Sequence, residues 1–88
     1  MILFRLTDPD PRTVSIGAFA GNVRVHVAGP GAEPSTVDLT VDEARASIDN
    51  LRTPGTSWWV CRGLTVTTSE DAAQCREALT LAVDELTD

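Results

Sequence analysis

Between residues 23 and 28 the chain runs VRVHVA. Successive side chains on a strand point to opposite faces. Val23, Val25 and Val27 therefore share one side, and Arg24 and His26 share the other. That alternation predicts a strand with one face in a core and the other left for solvent or a partner. TVSIGAF, just before it, is a second strand candidate, joined through AGN, a short glycine-containing connection suited to a hairpin. MILFRL sets Ile2, Phe4 and Leu6 against Leu3, Arg5 and Thr7 and predicts a third. A chain with several one-sided strands needs something apolar to cover the valine side.

Two helices supply it. LTVDEARASIDNLRTPG has Thr40 as N-cap and Glu43 three residues on, the capping-box spacing, with Asp42 and Glu43 favourably placed at the positive end of the helix dipole. Val41, Ala44, Ile48 and Leu51 form its apolar stripe, and TPG stops it. The last helix starts in TTSEDAAQCREALTLAVDELTD, capped by Thr68 or Ser69, with Glu70 and Asp71 in its first turn. Ala72, Cys75, Leu79, Ala82, Val83 and Leu86 cluster on one side of it.

The connections are marked by breakers. TDPDP ends the first strand, because Pro9 and Pro11 cannot donate to a ladder. GPGAEPS reads as a loop without the following Lys-Ser/Thr of a phosphate loop, and STVDL as a short strand. SWWVCRGLTVTT is either one long strand or a hairpin bent at Arg62-Gly63; the hairpin is preferred, since Gly63 weakens a strand interior. Trp58 and Trp59 are neighbours, so one indole enters the core and the other faces out. The 88 residues thus predict one α+β domain over 1–88: an antiparallel sheet of four to five strands with two helices packed on one face. The bare face is expected to carry Leu3, Arg5, Arg24, His26 and one of Trp58 and Trp59, with the indole against an arginine.

TVDEA at 40–44 and TSEDA at 68–72 share a cap, an acidic first turn and an alanine. This echo fits two β-hairpin–helix units, or equally two independent solutions to helix capping. The order of hairpin followed by L-T-x-D-E-A-R opening a helix resembles small uncharacterised domains of actinobacteria and their phages. The likeness covers about a third of the chain. It implies a lineage and brings no chemistry with it.

Net charge is −6, and it is unevenly placed. Residues 69–88 hold six acids and one Arg, whereas residues 1–68 hold seven acids and six Arg. Glu70, Glu77, Asp84, Glu85 and Asp88 lie on the polar side of the last helix, a solvated face by default. Leu81 falls in the middle of them; an exposed Leu ringed by carboxylates is the form of a small docking site for a basic partner.

Several chemistries find no support. All seven bases are Arg, so no lysine can form a Schiff base. His26 is the sole histidine, and Cys61 and Cys75 lack metal-ligand spacing and are expected as buried thiols. The pattern therefore argues against an enzyme and implies no cofactor and no metal. No apolar run approaches the ~20 residues of a membrane span, and the N-terminus lacks a signal-peptide pattern, so a cytoplasmic protein is expected. Three functional readings follow. The first is a protein-interaction module, homodimeric through the open sheet, using Arg5, Arg24, His26, Trp58 or Trp59, or binding a partner through Glu77, Leu81 and Asp84. The second is an acidic inhibitor that occupies a basic site on a host protein. The third is a single-stranded nucleic-acid binder that stacks bases on Trp and Arg, against which the overall negative charge argues.

Overall fold

A two-residue turn organises the first half of the chain. Ala20 and Gly21 both have positive φ, 53° and 83°, the signature of a type I′ hairpin whose twist matches that of its strands. It joins β2 (Thr13–Phe19) to β3 (Asn22–Gly29) and sets Phe19 opposite Asn22, Gly17 opposite Arg24 and Ser15 opposite His26. In the computed structural model, which describes residues 2–6, 12–29 and 32–87, β1 (Ile2–Arg5) pairs antiparallel with β2, and β4 (Ala32–Leu39) with β3. The sheet order is β1-β2-β3-β4. The TDPDP breaker and the Pro30-Gly31 tip of the predicted loop lie outside the described residues.

β4 begins earlier than the expected STVDL strand. It runs through Ala32, Glu33 and Pro34, which the sequence presents as loop. An edge strand tolerates a proline because the missing donor faces away from the ladder. The register between β3 and β4 shifts between Val27 and Gly29, which absorbs the irregularity.

The helices are α1 (Val41–Leu51) and α2 (Ser69–Thr87). The capping box at α1 is complete: Glu43 N–H donates to Thr40 Oγ1 at 3.1 Å, and Thr40 N–H donates to Glu43 Oε1 at 3.0 Å. At α2 the cap is Thr68, whose Oγ1 accepts from Asp71 N–H at 3.1 Å. Asp71 itself is buried, rather than being a solvated first-turn acid. α2 packs beneath β2 and β3, and α1 packs against α2, β3 and β4. Val14, Ile16, Val23, Val25, Val27 and Leu39 from the sheet meet Ala44, Ile48, Leu51, Cys75, Leu79 and Val83 from the helices in one core. Both helices cover the same face, and the architecture is α+β as expected.

The second half of the chain departs from a single sheet. Among the described residues β5 (Trp58–Cys61) and β6 (Leu64–Val66) pair only with each other, bent at Arg62-Gly63 with Gly63 at φ 85°. A register shift between Trp59 and Cys61 leaves Val60 and Cys61, consecutive residues, both buried. At this bulge the ladder is locally disrupted, and the successive carbonyls of Trp59 and Val60 accept from elsewhere. α1 meets both: Ser47 Oγ donates to Val60 O at 2.6 Å and Asn50 Nδ2 donates to Trp59 O at 2.8 Å. The hairpin is thus tied to α1, and its turn rests near the inward-facing Ser35 of β4, where a Cβ on Gly63 would come within 3.3 Å of Ser35 Oγ.

Candidate protein interface

The outer face of the four-stranded sheet is built by the odd positions of β1 and β2 and their cross-strand partners. Leu3, 68% exposed, stands beside Ser15. Arg24 and Asp38 are directly opposite on β3 and β4, and their side chains meet in a fork: Nε donates to Oδ1 at 2.8 Å and Nη2 to Oδ2 at 3.1 Å. This bidentate geometry raises the Arg24 pKa and lowers that of Asp38, in each case chiefly through the side-chain hydrogen bond. Both groups are open to water, so the pair adds little to stability. Its effect is positional. It holds the guanidinium over the ring of Phe19, with Cζ 3.8 Å from the centroid, a cation–π contact between diagonal neighbours.

His26 and Thr36 are also opposite one another, with Nδ1 2.8 Å from Oγ1. Gly17 contributes no side chain between Ser15 and Phe19. The result is an open hollow of about 490 Å³ lined by Ser15, Gly17, Phe19, Arg24, His26 and Thr36. Phe19 is 53% exposed at its rim. An aromatic ring, an oriented guanidinium, an imidazole and small polar groups in a shallow hollow suit contact with another protein surface.

Arg5 and Arg24 share this outer side, with His26. The tryptophans do not join them. Trp58 is buried, its Nε1 donating to Thr53 O at 2.7 Å, and so does not lie on the open face. Trp59 is 60% exposed, but it belongs to the separate β5–β6 hairpin and borders a small hollow with Leu39, Glu43, Ala46 and Asn50. The expected indole on the open face is thereby corrected: the bulged hairpin leaves the sheet, and the arginine–ring contact is made by Phe19 instead. The stacking platform assumed for a nucleic-acid binder loses its tryptophan. Alternation along a single strand does not mark Phe19 and Asp38 as partners of Arg24 on this face. Their signal was available only through register, because the AGN turn decides which residue stands across from Arg24.

Glu77, Leu81 and Asp84 lie away from this face, on α2 beneath the sheet. Leu81 is 49% exposed and both acids are exposed. Cys61 and Cys75 are buried, and burial pushes their pKa values up to about 11 and about 12. Among the described residues no cluster of His, Cys, Asp and Glu is arranged to hold a metal ion, and no helix is long and apolar enough to cross a membrane. Comparison with family models, with curated proteins and with solved structures finds no match for this chain.

Proposed function

We propose that the protein is a small non-catalytic interaction module that works through the bare sheet face, and that a second copy of the chain is its partner there. The supporting observation is the one-sided covering of the sheet, which leaves Leu3, Phe19 and the Arg24–Asp38 fork exposed together. Arg24 and Asp38 put a cation and an anion side by side on this patch, so a two-fold contact through it can set opposite charges against each other. Size fixes the strength. Four strands of up to 8 residues, at ~4.8 Å spacing and ~3.3 Å rise, present about 400–500 Å² of projected area per protomer. Two such faces bury close to the ~1,000 Å² lower bound for a specific contact, which makes the dimer weak and concentration-dependent.

Amide spectra recorded over a dilution series test this reading. Concentration-dependent shifts at Leu3, Ser15, Gly17, Arg24 and His26 are expected. Spectra that do not change with concentration, or changes confined to α2, would refute it.

A further inference from the structure

We infer that the free edge of β1, with the face of α2 beneath it, docks an extended, basic segment of another protein by strand addition. The two edges of the sheet are built differently. On β4, Pro34 removes a donor, Glu33 and Asp38 place exposed carboxylates, and the β3–β4 register is broken, all devices that discourage a further strand. On β1 there is no proline, and its one charged residue, Arg5, shares the outer side with Leu3 and not the α2 side with Ile2 and Phe4; among the described residues β1 pairs with β2 alone. As the end strand of the sheet, β1 turns one row of backbone groups away from β2, and among the described residues no other strand takes them, the requirement for β-augmentation.

The floor beside this edge selects the occupant. Ile2 and Phe4 are half-buried and form a groove of about 140 Å³ with Gln74, Glu77 and Ala78 of α2. Leu81 follows Glu77 and Ala78 by four and three residues, so it continues the same helix stripe. Glu70, Glu77 and Asp84 recur at seven-residue intervals alongside it, and all three are exposed. An added strand points every second side chain down towards α2. In that phase it meets the apolar strip of Ile2, Phe4 and Leu81 and then carboxylates, so apolar residues and Arg or Lys are favoured there. A second copy of this chain is the wrong occupant. A two-fold pairing of β1 with β1 brings two Glu77-bearing stripes together at the axis, and like charges in that position repel. The same acids thus protect the edge from self-pairing and attract a basic strand. The site is distinct from the bare face, and a dimer formed through that face leaves it open.

A labelled, end-capped peptide whose alternate residues run valine, valine, arginine, arginine, with threonine between them, is the probe, read by fluorescence anisotropy. The wild-type protein is expected to bind it. The variant Glu70→Gln/Glu77→Gln/Asp84→Asn, altered only at exposed positions and checked for folding by circular dichroism, is expected to bind about tenfold more weakly with a flatter salt dependence. N-methylation of the peptide on alternate amides is expected to abolish binding in one phase and spare it in the other, because only one row of donors faces β1. Equal binding by both methylated forms would overturn the proposal in favour of charge alone, as would undiminished binding by the triple variant. Dimerisation of the wild-type chain that the peptide displaces would overturn it in favour of a second copy at this edge.

Discussion

Ser47 donates its hydroxyl to the Val60 carbonyl at 2.6 Å inside the core, and this bond joins α1 to a strand that, among the described residues, pairs with β6 alone. Ser47 is 4% exposed and Val60 is fully buried. Removing the hydroxyl leaves that carbonyl without its donor in a place water does not reach. Ser47→Ala is expected to cost about 1–3 kcal/mol, seen as a lower denaturation midpoint with an unchanged m-value. Asn50→Ala removes the adjacent bond at an exposed position, where water can replace the amide, and should cost less.

The Ala20-Gly21 turn carries a correctable strain. Ala20 sits at φ 53°, a region costly for a residue with a Cβ but tolerated by asparagine. Asn-Gly is the preferred pair for a type I′ turn. Ala20→Asn is expected to stabilise the protein by roughly 0.5–1 kcal/mol, measured as a higher melting temperature with unchanged secondary structure. Gly21→Ala acts in the opposite direction, because φ 83° there is open only to glycine without penalty.

Both thiols should be silent in the native protein. They are buried, and they hold their protons up to about pH 11 for Cys61 and about pH 12 for Cys75. A thiol reagent at neutral pH is expected to label neither until denaturant is added, and then both. The same shifts set a pH dependence. The unfolded chain releases these protons at its ordinary value of 9.0, while the folded chain keeps them to higher pH. Over that interval the folded state binds more protons. Stability is therefore expected to be insensitive to these groups below pH 9 and to fall as pH rises above it, as read from urea melts.

What was legible in the sequence was local. Val23, Val25 and Val27 announced a one-sided strand because alternation is a property of neighbours, and all three are buried. Thr40 and Glu43 announced α1 because a capping box is complete within four residues. The apolar stripe of α2 and the exposure of Leu81 followed from helical periodicity in the same way. The misplaced elements depend on long-range partners. Trp59 left the sheet because a bulge lets Ser47 and Asn50 take carbonyls of β5, a bargain struck between segments apart in sequence. Phe19 met Arg24 because of a hairpin register that neither strand encodes alone. Pro34 hid the start of β4, since the residue that marks loops also suits an unpaired edge.

Sedimentation velocity from low to several-hundred micromolar protein tests the central claim, that the bare sheet face brings two copies together. The wild-type chain is expected to pass from monomer to dimer across that range, and Phe19→Ser combined with Arg24→Glu, which removes the exposed ring and sets a carboxylate against Asp38, is expected to remain monomeric. A wild-type chain that stays monomeric at the highest concentration, or a double variant that dimerises as readily, would contradict the account.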